Sequence, residues 1–322
     1  MRRVLLCLAA LAIAAAGEVR VCCTVPDLGD LVRRIGGDQV RVTTFVRGGE
    51  DPHHLDARPS FIAALARADL LVEVGCELEV GWLPAVVDQA RNPRLRPGSP
   101  GRLTAANHVR LLGIPDRPID RSAGDVHAAG NPHFLTDPVR GLQVARAIAV
   151  RLGELVGTPD PFLARTDALE REVLAKLCGD TLAAGDRAAL IARLAAGEVP
   201  ADAGGWLARL APLRGAVLVA DHDLWPYLGE RYGLRISLFL EAKPGVPPTQ
   251  AHLASVISAA TAAPARAIIT VPYFDPRHAT FVATATGLPV LRLPHQVGAT
   301  DAATDWPAML AVQTDVLGGL VR

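Results

Sequence analysis

The sequence predicts an α/β protein of two lobes, each with a mostly parallel sheet flanked by helices. Three observations lead there. Apolar runs of strand length alternate with segments of helical periodicity; the alternation lapses mid-chain and then restarts; and both halves place His and Asp in loops that follow apolar strands. A chain of 322 residues is long for one core, so two domains are expected.

Met1-Arg2-Arg3 and the apolar run Val4 to Ala16, ending in small residues, read as a secretory signal peptide, residues 1–16, cut near Ala16. The run is too short to span a bilayer, which takes roughly 18 to 20 apolar residues. Cys7 lies deep inside it and not at the cleavage point, which argues against a lipid-anchored mature cysteine. The 33 basic residues balance 33 acidic ones with no basic stripe. Nucleic acid and anionic membrane are therefore excluded as expected partners. Cys22, Cys23, Cys76 and Cys178 form no CxxC pair, and a thiolate zinc site is not expected; they read as small buried hydrophobes, with a disulfide still open for an exported chain.

In the first half, Glu18 to Val25 reads as a strand and Pro26 to Ile35 as a helix stopped by Gly36-Gly37. Val40 to Val46 is a second strand, Phe61 to Ala68 a helix, Leu70 to Val74 a third strand and Leu83 to Gln89 a helix. Arg91 to Arg121, rich in Pro, Gly and Asn, reads as an irregular excursion. Val139 to Leu155 buries Leu142, Ala145, Ile148, Ala149 and Leu152 on one helical face, with Pro138 in its first turn. Phe162 to Leu177 is a charged helix that either connects the halves or covers one of them. Short helical pieces follow to Trp206.

The second half repeats the scheme. Ala216 to Ala220, Arg235 to Leu240, Ala267 to Val271 and Val290 to Leu293 read as strands; Leu224 to Tyr232, Ala251 to Ala260, Pro276 to Thr286 and Trp306 to Leu320 read as helices. Lys243-Pro244-Gly245-Val246-Pro247-Pro248 is a rigid turn.

The candidate site comes from loops. His53 follows the second strand, His222 and Asp275 follow strands of the second half, and His133 lies in Gly130-Asn131-Pro132-His133. Ligands of open α/β sheets bind beyond the carboxyl ends of strands, so the four converge between the halves. Three imidazoles and one carboxylate fill a tetrahedral zinc site without leaving a position for water, which favours carrying an ion over catalysis with it. Asp51, Asp137, Asp221 and Asp223 are placed to orient the rings. His54 and His127 compete as ligands, Asp275 before Pro276 also fits a helix N-cap, and His108, His252, His278 and His295 read as surface or cap residues.

These residues resemble a known family, the solute-binding proteins of zinc and manganese ABC importers, the ZnuA-like or TroA-like group. The likeness is carried by Gly49-Glu50-Asp51-Pro52-His53, Glu77-Leu78-Glu79-Val80-Gly81-Trp82-Leu83, Gly124-Asp125-Val126-His127, Gly130-Asn131-Pro132-His133, His222 to Tyr227 and Glu241 to Pro248. It implies a first lobe over 17–157, a long rigid linking helix over 158–178 and a second lobe over 179–322. It further implies His53, His133, His222 and Asp275 as ligands, and delivery of the ion to the membrane permease of an ABC importer from the periplasm. A monomer is expected. Asn131 stands where many members have Asp, Val271 where many have Glu, and the long His-rich loop of some zinc members is absent. The nitrogen-rich ligand set favours Zn2+, with Mn2+ second. An exported zinc hydrolase would need an open coordination position and a base such as Glu241 or Asp223, and no HExxH helix or nucleophile elbow supports it. A surface adhesin on the same fold is the remaining alternative.

Overall fold

The structure, a computed structural model, describes residues 18–116, 127–243 and 245–321. The predicted signal segment, Gly124-Asp125-Val126 and Pro244 fall outside them. Among the described residues, no helix is long and apolar enough to cross a membrane.

The first lobe runs β1 (Val19–Cys23), α1 (Pro26–Gly36), β2 (Val40–Thr44), α2 (Pro59–Leu65), β3 (Leu70–Glu73), α3 (Leu83–Ala90) and β4 (Arg102–Thr104). Its sheet is wholly parallel, in the order β2-β1-β3-β4. The fourth strand lies inside the stretch expected to be irregular. It is three residues long with one apolar residue, Leu103, too short for a period of two to show; pairing with β3 and the bidentate bond from Arg102 to Glu73 hold it. Cys22 and Cys23 face opposite sides of β1, into two separate apolar clusters, and all four described cysteines are free and buried.

Two 19-residue helices follow, α4 (Pro138–Val156) and α5 (Asp160–Cys178). Asp137 caps α4 through Val139 N–H, and Pro138 occupies its first turn, where no backbone donor is needed. The helix α5 packs on α1 and α4, and also on α7 (Arg187–Ala195) and α8 (Gly205–Leu210), which follow the single-turn α6 (Asp180–Ala183).

The second lobe repeats the first with β5 (Val217–Ala220), α9 (Pro226–Tyr232), β6 (Arg235–Phe239), α10 (Gln250–Ala262), β7 (Ala267–Thr270), α11 (Pro276–Thr286), β8 (Val290–Arg292) and α12 (Trp306–Gly318). Its parallel sheet has the matching order β6-β5-β7-β8.

The lobes are joined by buried polar contacts as well as by chain. Arg231 of α9 donates to both oxygens of Asp137, a carboxylate that Arg140 also holds, and Arg140 reaches Glu230. Tyr227 Oη donates to the Asn131 carbonyl at 2.6 Å. Trp306 Nε1 donates to the Leu135 carbonyl at 2.9 Å, and Gln296 Nε2 to that of Glu50 at 2.9 Å. At Gly48 two segments of the backbone touch so closely that a Cβ would lie 2.2 Å from the Gly298 carbonyl carbon.

Candidate metal centre

His53 is the hub. It sits in the loop after β2, 7% exposed, with Asp51 fixing it twice: Oδ1 accepts the His53 backbone N–H at 3.0 Å and faces ring Nδ1 at 2.8 Å. Burial pushes the Asp51 carboxyl up, yet the bonds from His53 hold it down at about 2. An ionised Asp51 selects the tautomer with its proton on Nδ1, which leaves the Nε2 lone pair free to face the centre.

That Nε2 lies 3.2 Å from Nε2 of His127. Two nitrogens bound to one tetrahedral zinc at 2.0 to 2.1 Å stand about 3.3 Å apart, so the pair is spaced as two ligands of one ion would be. His53, His127 and His133 offer ring nitrogens within 4.8 Å of one another, and all three are buried or partly buried. His133 approaches His53 at 5.4 Å between ring centres. Its backbone N–H donates to Asn131 Oδ1, and Asn131 in turn donates to the Asp223 carbonyl of the other lobe. Burial first, and the imidazoles of His295, His53, His127 and His222 next, hold the His133 ring well below the ordinary histidine range, and so neutral with a lone pair available.

His222 follows β5 and faces the group from the second lobe, 6.2 Å from His53 and 6.5 Å from His133 between ring centres. Its Nδ1 lies 3.0 Å from Glu241 Oε2, repeating the carboxylate and imidazole pairing of Asp51 with His53. Of the four acids expected to orient rings, Asp51 alone is seen to do so. Asp137 is taken by two arginines, Asp221 accepts the Val271 N–H, and Asp223 bonds to Asn131. Burial pushes the Asp221 carboxyl up to about 7.

Asp275 is exposed and caps α11, accepting from the backbone and side chain of Arg277, which hold its carboxyl down at about 2. It is outside the group of histidine nitrogens described above.

His295 is the residue that sequence reasoning missed. Read there as a surface or cap residue, it is buried at 7% exposure, and no side chain bonds to its ring nitrogens, for which the Leu224 backbone is a near neighbour. Its ring stands 4.8 Å from that of His133 and edge-on to Trp225. Burial, then the neighbouring rings of His53 and His222, push it down to about 3. The available signal was positional: it follows β8 as His222 follows β5.

Fold and centre together define a two-lobed α/β protein with a histidine-rich cluster beyond the carboxyl ends of its strands. The family model for ZnuA, the periplasmic zinc-uptake complex component A, matches residues 21–173 and 204–318, and the chain belongs to that family. The high-affinity zinc uptake system protein ZnuA of Paracoccus denitrificans is 28% identical over 278 residues, covering 76% of this chain and 74% of that protein. The metal ABC transporter substrate-binding lipoprotein FimA of Streptococcus parasanguinis is 32% identical over 79 residues, 24% of this chain. The match to FimA and two further streptococcal relatives spans about a quarter of their length. Among solved structures, FpvC of Pseudomonas aeruginosa in complex with Mn2+ superposes with a TM-score of 0.72 at 20% identity, covering 94% of this chain and 98% of that one. A crystal structure of ZnuA gives 0.68 at 20% identity, covering 95% and 100%.

Proposed function

We propose that this chain is an extracytoplasmic solute-binding protein that captures a divalent transition-metal ion between its lobes and delivers it to the membrane permease of an ABC importer. Zinc is the first cargo and manganese the second, in line with a zinc-uptake ZnuA and manganese PsaA proteins among the relatives. The observation that carries the reading is the His53 and His127 pair, with Nε2 atoms 3.2 Å apart and His133 in reach of both. Carboxylates behind His53 and His222 fix the rings before an ion arrives.

In this reading His53, His133 and His222 are ligands, and the fourth position goes to His127 or His295 in preference to Asp275. Asp275 would have to leave Arg277 to bind, whereas His127 is already in place and the ring of His295 is held by no side chain. An all-imidazole set suits zinc better than manganese, which prefers oxygen donors.

The test is a competition titration of metal-stripped protein with zinc and manganese, with metal counted after dialysis. One zinc per chain, retained against equimolar manganese, supports the proposal; no stoichiometric metal refutes it. His127→Ala, His295→Ala and Asp275→Asn, titrated side by side, identify the fourth ligand, and loss in Asp275→Asn alone would restore the set read from sequence.

A further inference from the structure

Asn131 is buried, 7% exposed, and each of its four polar groups is bonded. Its backbone N–H donates to the Leu112 carbonyl at 2.8 Å. Its carbonyl accepts from Tyr227 Oη, which in turn accepts the Leu112 N–H at 3.1 Å. The side chain reaches across the lobes. Oδ1 accepts the His133 backbone N–H at 3.0 Å, two residues on in the same loop, while Nδ2 donates to the Asp223 carbonyl at 2.7 Å and faces Asp223 Oδ2 at 3.3 Å. Asp223 is the neighbour of His222 in the loop after β5.

This place calls for an amide. An acceptor is needed towards His133 and a donor towards two oxygens of Asp223, and an amide carries both in one plane. A carboxylate of the same shape would keep the first bond and turn the second into a contact between oxygens, at a buried position where a lost bond is costly. Tyr227 holds the backbone that carries the amide: its ring meets Phe134 edge-on, and the Arg140 guanidinium lies over it at 4.6 Å. The rings of His133 and His222 stand 6.5 Å apart between centres, one in each of the loops so joined.

We propose that Asn131 is a positioning residue whose amide splices the His133 loop of the first lobe to the His222 loop of the second, and so sets the spacing of the two imidazoles. The consequence for metal affinity rests on the metal-binding reading above; the link between the loops does not.

Two measurements separate them. Asn131→Asp changes the donor for an acceptor at nearly the same volume, and crystals of this variant without metal should show the His133 and His222 rings farther apart than 6.5 Å. Unchanged spacing overturns the link whether or not the protein binds zinc. The same variant should bind zinc about 10- to 100-fold more weakly and change the visible absorption of the Co2+-loaded protein, a readout that a purely stabilising role would leave alone. Adding Asp223→Asn places an amide opposite the new carboxylate and should recover part of the lost affinity. Asn131→Ala, which removes both side-chain bonds, provides a second variant with the same expected losses should Asn131→Asp fail to fold. Wild-type affinity and an unchanged Co2+ spectrum in the Asn131 variants, or no recovery in the double variant, refute the positioning role; absence of zinc binding by the wild type refutes the metal reading instead.

Discussion

Replacing His53 with alanine tests the centre at a ring that meets three other imidazoles of it. Its ring lies 5.3 Å from His127, 5.4 Å from His133 and 6.2 Å from His222. Protein sites that fill the coordination sphere of zinc bind with about 10–16 kcal/mol, or about 2.5–4 kcal/mol for each of four ligands. At 1.4 kcal/mol per decade, His53→Ala should weaken zinc by about 10²- to 10³-fold. The matched control is His54→Ala. His54 is exposed, with its ring 6.2 Å from that of His53, and its loss should change affinity less than about 3-fold. Both variants are titrated against a chromophoric chelator of known affinity, and metal-free melting is followed by circular dichroism to confirm that the lobes remain folded. Equal losses in the two variants, or a loss below about 5-fold in His53→Ala, would refute the centre as built here.

Three further outcomes follow from the same geometry. Glu241→Gln removes the carboxylate behind His222 and should lower zinc affinity about 10- to 100-fold with little change in metal-free stability; an unchanged titration would show that the pairing is incidental. Glu79, buried under bonds from Thr24, Val74 and Gly75, is pushed by burial from 4.5 up to about 7. A carboxyl raised in the folded state binds its proton there before the unfolded chain does. Metal-free wild type should therefore gain on Glu79→Gln as pH falls from 8 to 5, by on the order of 3 kcal/mol, and parallel urea midpoints across that range would contradict it. Arg231→Met leaves Asp137 with one arginine instead of two in a fully buried position and should cost about 3 kcal/mol in chemical denaturation; less than about 1 kcal/mol would mean that Arg140 suffices.

Much of the fold was legible because strands buried on both faces carry apolar runs, such as Leu70-Leu71-Val72 and Ala267-Ile268-Ile269, that stand out in the sequence. Arg102–Thr104 was not, since its strand character comes from β3 beside it and not from its own residues. Of the residues proposed for the centre, His53, His133 and His222 were singled out from their loops. His295 was not, because burial and lack of side-chain partners are properties of the packed interface and leave no local pattern. Glu241 was noted as a base for hydrolysis, whereas its oxygen faces the ring of His222. Asp275 illustrates the opposite difficulty: the Asp-Pro pair that suggested a ligand is also a helix start, and the carboxylate is seen in that second use.

The bonds between the lobes bear on how an ion leaves. They lie along α9, at the head of α12 and at the meeting of Gly48 with Gly298, three separate places in the chain. A hinge needs a line of contacts about which the rest can open, and a rotation about any one of these places strains the other two. Contacts at several places resist a simple parting of the halves. In the proposed reading, release of an ion would then call on side chains and loop backbone, such as the ring of His127, as well as on any movement of the lobes.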